Sequence, residues 1–483
     1  MSMGATTTET GMQPGGAPVL LVGLGATGVS CARYFERLGQ PVRIVDSRAE
    51  PPGLAGLGAL RETADLRLGG FEAAALEGVS EVVVSPGVPL DEPLLEEARR
   101  RGYALLGDIE IFARAADAPV AAITGSNGKS TVTQLLAELA GAAGLRVRAG
   151  GNLGPPALAL FEDQAPDLYV LELSSFQLEL TESLRARVAC VLNISADHID
   201  RHGDLERYAA AKARILHGAE CVVLNREDPR VMSMWDGITP CIRFGLDAPV
   251  AGEYGLAETA QGPALARGDR ILLPAGRLRL RGRHNLANAL AALAMLEALG
   301  VNTAPESRVQ SRPEPGLEPG LEPGEPPAGV LQALAAFPGL PHRSEWVAER
   351  GGVEWINDSK GTNVGAAVAA VTGMDKPVVL IAGGDGKGAD FRPLAEAARD
   401  RVRAAVLLGR DAPLLEEALE EALGDACPTV RVASIEEAVR EAARLARPGD
   451  CVLLSPACAS TDMHRDYRER GERFAAAARG LSS

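Results

Sequence analysis

Short apolar runs recur along the chain, each ending in a glycine or a polar loop and followed by residues with a helical spacing of apolar positions. Residues 19–22, 42–45, 81–84, 120–124, 168–172, 188–192, 354–357, 377–382, 404–408 and 451–454 are such runs. Runs this continuous are strands buried on both faces, and their alternation with helices predicts parallel sheets and an α/β fold. A chain of 483 residues exceeds one core and suits about three domains. The expected division is an N-terminal half-Rossmann nucleotide-binding unit at 18–107, a central P-loop ATPase-like parallel sheet at 108–339, and a C-terminal Rossmann-like domain at 340–483. Residues 245–283 read as a small β excursion within the central unit. Residues 1–17, rich in Thr, Gly and Pro, read as a disordered tail. The Pro-Gly-Leu-Glu repeat at 307–327 reads as a solvated insertion.

Composition narrows the picture. Hydrophobic residues make up 46%, enough for packed cores, yet no window offers the ~20 uninterrupted apolar residues of a membrane span. The first residues lack the basic and apolar regions of a signal peptide. The seven cysteines form no Cys-x-x-Cys pair and read as buried thiols of a cytoplasmic protein. A net charge of −15 argues against nucleic-acid binding. Of the 49 basic residues only Lys129, Lys212, Lys360, Lys376 and Lys387 are lysines. A chain that uses arginine for surface charge keeps lysine where a compact point charge or a deprotonatable amine is needed.

The most informative stretch is Val120-Ala-Ala-Ile-Thr-Gly-Ser-Asn-Gly-Lys-Ser-Thr131. A strand, two glycines and a helix start carrying Lys129, Ser130 and Thr131 form a phosphate cradle of backbone N–H groups, one ammonium and a metal-binding hydroxyl. The loop is a short form, because the first glycine of the commoner motif is replaced by Ile123. Gly23-Leu-Gly-Ala-Thr-Gly28, with Asp46 at the end of the next strand, is a dinucleotide fingerprint. Alone it suits an NAD enzyme, but the short distance to the P-loop favours a half-sized unit holding a mononucleotide diphosphate. Glu172 ends an apolar strand, where it must be paired or hold a metal. His198 also follows a strand end. Lys212 lies in an alanine-rich helix, and Asn285 and Asn288 share one helix face. In the last domain the loops 357–363, 383–390 and 455–462 follow strand C-termini, the edge at which open parallel sheets bind ligands.

These strings, together with Leu-Pro-His-Arg343, Asn-Asp-Ser-Lys360 and Leu-Ser-Pro-Ala-Cys-Ala-Ser460, resemble the Mur ligase family over nearly the whole chain from Leu20. The resemblance implies an ATP-dependent amide-forming ligase that adds D-glutamate to UDP-N-acetylmuramoyl-L-alanine through an acyl phosphate, in peptidoglycan precursor synthesis. It implies ATP on Gly125, Ser126, Asn127, Gly128, Lys129, Ser130 and Thr131, with Asn285, Asn288, Arg343 and Asp358 completing the site. Two Mg²⁺ ions would be held by Ser130, Glu172, His198 and a carbamylated Lys212, and Lys129, Glu172, His198 and Lys212 would be catalytic. The UDP substrate would meet Gly25, Thr27, Asp46, Ser47, Ser85, Gly87, Asn152, Ser174 and Gln177. D-glutamate would meet Lys360, Thr362, Lys387, Ser460 and Tyr467, the last standing where the family pattern has phenylalanine. The implied protein is a cytoplasmic monomer that uses small molecules only. A folylpolyglutamate-type ligase, a Mur ligase with another acceptor, an NAD-dependent dehydrogenase and a nucleotide-binding switch are the alternatives.

Overall fold

A computed structural model describes residues 16–280, 282–301 and 328–481. The expected tail falls almost entirely outside the described residues, and the insertion at 307–327 lies outside them. The described chain divides into two compact units. One holds the residues up to Thr124 with Arg146–Ala189 and Asp200–Glu220; the other holds Gly125–Leu145, Cys190–Ile199 and the chain from Cys221 onward.

In the first unit, β1 (Val19–Val22), β2 (Val42–Asp46), β3 (Asp65–Leu68), β4 (Val82–Val84) and β5 (Leu105–Leu106) form a parallel sheet in the order β3-β2-β1-β4-β5. β1 lies at its centre with all four residues buried, as an apolar run without alternation requires. The helix Ala26–Arg37 follows the glycine turn. Gly28 has to be glycine there, because a Cβ would collide with the Gly23 carbonyl oxygen. β3 and β5 escape sequence reading for a physical reason: edge strands need no buried run, and β3 reads Asp-Leu-Arg-Leu while β5 has two residues.

The same unit carries β6 (Val120–Thr124), β7 (Val147–Gly151) and β8 (Leu168–Glu172), parallel in the order β7-β8-β6. Gly150 and Gly151 close β7, where they pair with Leu171 and Glu172. Phe112 stacks on Phe161 at 4.9 Å and Tyr169 meets Phe112 edge-on at 5.1 Å. Aromatic residues are only 4% of the chain, so this cluster concentrates a scarce resource; each such pair contributes about 0.5–1.5 kcal/mol beyond burial. β9 (Val188–Val191) is buried along its length.

In the second unit, β10 (Cys221–Asn225), β11 (Cys241–Phe244), β12 (Tyr254–Thr259), β13 (Gly262–Arg267) and β14 (Arg270–Pro274) are consecutive neighbours. Pairing is parallel up to β12 and antiparallel after it, which is the expected β excursion. The helices Lys129–Ala142 and Arg283–Ala298 pack against each other. The latter buries ten residues around most of its circumference, as an alanine- and leucine-rich helix can. A six-stranded sheet completes the unit: β15 (Glu345–Arg350), β16 (Val353–Asn357), β17 (Val378–Gly383), β18 (Val402–Leu408), β19 (Thr429–Arg431) and β20 (Cys451–Leu454), in the order β15-β16-β20-β17-β18-β19. Only β15 runs antiparallel. Its two faces feed separate cores, one with Leu380, Leu407 and Leu453, the other with Ile381, Val406 and Phe474. All seven cysteines are free thiols.

Candidate active site

The P-loop opens the helix Lys129–Ala142, whose first turn has no side-chain cap. By helix geometry its first N–H groups have no intrahelical acceptor, and with the positive end of the helix dipole they lie at the loop. Gly125 sits at φ 151° and Gly128 at φ 85°. A Cβ on Gly125 would lie 3.0 Å from Leu192 Cβ, and one on Gly128 would strike Asn288 Oδ1. Lys129 Nζ donates to the carbonyls of Gly125 (2.8 Å) and Ser126 (2.9 Å), which holds the ammonium over the loop. Ser126 exchanges hydrogen bonds with Ser195, and the Asn127 N–H donates to Asn193 Oδ1 at 2.8 Å.

A cavity of about 300 Å³ lies beside this loop. Asn127, Gly128, Thr131, Asn285, Asn288, Arg343, Asp358 and Lys360, all singled out on sequence, line it. Asn288 donates to Asn285 Oδ1 at 3.0 Å. Arg343 donates to Ser130 Oγ at 2.7 Å, bringing a second cation onto the P-loop hydroxyl. Burial pushes the Asp358 carboxyl up to about 6, against the Ser455 hydroxyl, the Ser344 N–H and the Arg343 and Arg470 charges that favour its ionised form. His284, also on the wall, is pushed down to about 4 by burial and is neutral near pH 7.

Thr362, Lys387, Ser460 and Tyr467, also singled out on sequence, are not among the residues lining this cavity. Lys360 Nζ stands 4.2 Å from the centre of the Tyr467 ring, an arrangement that phenylalanine would also support. The Thr362 N–H donates to the Lys360 carbonyl. Lys387 is exposed at φ 52° with its N–H on Asp385, and Ser460 is buried. Sequence reading missed Arg470. Its fully buried guanidinium donates to Ser359 Oγ (3.0 Å), the Ser359 carbonyl (2.8 Å) and the carbonyls of Gly383 and Cys458. It thereby ties together the three loops that carry those residues. An arginine in Tyr-Arg-Glu-Arg-Gly reads as solvated, and nothing in one sequence marks it otherwise.

In the first unit a separate cavity of about 690 Å³ is lined by Gly25, Thr27, Asp46, Ser47, Ser85, Gly87, Asn152 and Gln177. Ser174 is not among the lining residues but forms a capping box with Gln177. Burial acts to raise the Asp46 pKa, but bidentate Arg48 and the N–H groups of Leu24 and Arg48 outweigh it and hold the carboxyl at about 2. Arg48, which lines this cavity too, was not anticipated.

Glu172 and Lys212 belong to the first unit, Ser130 and His198 to the second. Among the described residues no group of three or more His, Cys, Asp or Glu forms a ready metal site. The donors nevertheless suit a cation. Glu172 is 2% exposed; its Oε1 accepts from Asn152 at 2.7 Å, while its buried Oε2 has no hydrogen-bond partner. An unsatisfied buried carboxylate oxygen is expensive unless something positive meets it. Lys212 is 1% exposed, with Nζ 3.3 Å from Thr124 Oγ1 and 4.7 Å from the centre of the Tyr208 ring. His198 is partly exposed at φ 52° beside Asp197.

The chain matches three family models in succession: the MurD-like N-terminal domain of Mur ligases at residues 17–107, the Mur ligase middle domain at 123–296 and the glutamate ligase domain at 342–458. It belongs to the Mur ligase family. Among curated relatives, the UDP-N-acetylmuramoylalanine--D-glutamate ligase of Nitrosococcus oceani is 52% identical over 97% of both chains. That of Methylococcus capsulatus is 48% identical over 96% of this chain and 95% of its own. Among solved structures, a pseudomurein peptide ligase type C from Methanothermus fervidus superimposes with a TM-score of 0.57 at 18% identity, covering 95% of this chain and all of its own. At that identity the likeness establishes the fold, which for this Mur ligase is α/β throughout.

Proposed function

We propose that this Mur ligase joins the amine of D-glutamate to the terminal carboxylate of UDP-N-acetylmuramoyl-L-alanine at the expense of ATP, in peptidoglycan precursor synthesis. The supporting observation is near-full-length identity of about one half to ligases of that name. The domain division that goes with this reading is 18–107 for the UDP substrate, 108–339 for ATP and 340–483 for the amino acid, and the family matches at 17–107, 123–296 and 342–458 fall one to each.

The γ-phosphoryl group moves from ATP to the substrate carboxylate, giving ADP and an acyl phosphate. The D-glutamate amine then attacks the acyl carbon, phosphate leaves, and the amine's extra proton passes to solvent. No protein nucleophile is required, so catalysis is positioning plus neutralisation of developing negative charge. Lys129 and the open helix N-terminus meet the β- and γ-phosphates, and Arg343 adds a second positive group at Ser130. Asn285 and Asn288 form the wall for the base, while Lys360, Thr362, Lys387, Ser460 and Tyr467 receive the two carboxylates of D-glutamate.

Mur ligases use ATP with Mg²⁺, which when bound screens the phosphate charges and polarises the transferring group. Ser130, Glu172 and His198 are the residues we assign to it, with two ions rather than one. Carbamylation of Lys212 would convert a buried cation, costly to desolvate, into an anionic ligand. ATP and nucleotide sugars are cytoplasmic metabolites, and we place the reaction in that compartment.

The test is phosphate release from Mg-ATP and UDP-N-acetylmuramoyl-L-alanine, scanned over D-glutamate, L-glutamate, L-lysine, diaminopimelate and no amino acid. Release with D-glutamate alone is expected. Release with a different amino acid would move the acceptor, and silence throughout would overturn the ligase reading.

A further inference from the structure

We propose that Asp108 is a positioning residue for the nucleotide-sugar cavity: its carboxylate holds the Gln177 amide in the one orientation that leaves an N–H for the ligand. The inference rests on the reading of that cavity as the UDP-substrate site.

Asp108 is the first residue of the helix Asp108–Ala115 and is 2% exposed. Its Oδ2 accepts from Gln177 Nε2 at 3.1 Å, and its Oδ1 is buried with no hydrogen-bond partner. At the other end of the same amide, Gln177 Oε1 accepts from the Ser174 backbone N–H and from Ser174 Oγ, both at 3.1 Å. A backbone N–H can only donate and an ionised carboxylate can only accept, so a flipped amide would place donor on donor and acceptor on acceptor. The amide is therefore fixed from both ends. One N–H of Nε2 is used by Asp108, and the second has no protein partner among the described residues, although Gln177 lines the cavity.

A purely structural role explains this poorly. A helix start is served as well by an exposed Ser or Asp that caps backbone N–H groups, whereas here a carboxyl is buried with one oxygen unpaired. Burial pushes it up to about 6 although the Gln177 amide and the N–H groups of Ile109 and Asp108 favour its ionised form, the mark of a group kept in an unfavourable place. What the fold obtains for that cost is an acceptor aimed at one side chain on the cavity wall.

The experiment measures kcat and the three KM values for Asp108→Ala, Gln177→Ala, the double variant and Asp108→Asn in the full-length enzyme. Loss of one oriented hydrogen bond predicts that Asp108→Ala raises KM for UDP-N-acetylmuramoyl-L-alanine about 5- to 20-fold. KM for ATP and for D-glutamate, and kcat, should stay within about twofold, since nothing on those sites is touched. Gln177→Ala should raise the same KM, and the double variant should add nothing, because both changes remove one contact. Asp108→Asn keeps an acceptor oxygen and should restore most of the affinity. Should Asp108→Ala fail to fold, Asp108→Ser, too short to reach Gln177, carries the same expectation. An unchanged KM in Asp108→Ala, a joint shift of all the constants, or multiplying effects in the double variant would overturn the proposal. An unchanged KM in Gln177→Ala would instead remove the cavity assignment on which it stands.

Discussion

Gly23–Gly28 and Gly125–Gly128 are built alike, each a buried strand running into glycines and then a helix, but they are furnished differently. The N-terminal turn borders a cavity whose charged residues include the Asp46–Arg48 pair, already satisfied within itself. The P-loop turn has Lys129 folded over its carbonyls and Arg343 on Ser130. Under the proposed reaction the difference is physical. A diphosphate that is merely bound needs backbone N–H groups and room, while a phosphoryl group in transfer needs fixed positive charge where negative charge develops.

The sharpest way to break this comparison is Lys129→Ala, which should lower phosphate release on the order of 10³-fold or more. Near-normal single-turnover rates would mean that the P-loop only binds. Next in size is Lys212→Ala: loss of a carboxylate-like ligand should cost on the order of 10²- to 10³-fold, with partial recovery on adding acetate. Full activity without acetate would remove the carbamate from the scheme.

The N-terminal turn gives smaller and different effects. A Cβ on Gly25 meets nothing within 4 Å, so Gly25→Ala should leave urea unfolding unchanged and raise only KM for the UDP substrate, by about tenfold. At Gly28, where a Cβ meets the Gly23 carbonyl, alanine should cost about 1–3 kcal/mol of stability; equal behaviour of the two variants in both assays would contradict the stated roles.

A different kind of effect concerns pH. His284 is pushed down to about 4, so as acid is added the unfolded chain binds its proton first. The contribution of neutral His284 is present above about 6.5 and is lost as pH falls from there to about 4, a change on the order of 3 kcal/mol. Asp108 and Asp358, pushed up to about 6, act in the opposite sense, losing stability as pH rises through the same range. Both remain in His284→Gln, so comparing its denaturation midpoints with those of the parent between pH 4 and 7 isolates the histidine, and the variant should show the shallower loss toward acid. On the other side of the comparison, Asp46 at about 2 keeps its contribution until pH falls below about 4, so the first unit should resist acid longer.

Much of this molecule is written locally. Buried strands announce themselves as apolar runs, and glycines at strand ends mark turns that no side chain can occupy. Scarcity of lysine in an arginine-rich chain drew attention to Lys129, Lys212 and Lys360, and a shared helix face to Asn285 and Asn288; of these Lys129 holds the P-loop and Lys360, Asn285 and Asn288 line one cavity. These signals survive in one dimension because each is a property of a residue and its near neighbours.

Other features exist only after folding. β3, β5 and β15 are edge strands without a double-sided apolar pattern. Arg470 and Asp108 look like ordinary surface charges in their helices, and only the packing of distant loops turns one into a knot of four carbonyl and hydroxyl acceptors and the other into the partner of Gln177. The shifts of His284, Asp358 and Asp46 arise the same way, from what covers a group and which donors reach it. Sequence determined the elements, the turns and the residue types able to do chemistry; burial and long-range hydrogen bonding, which depend on tertiary packing, decided which of those residues are held in place and in what charge state.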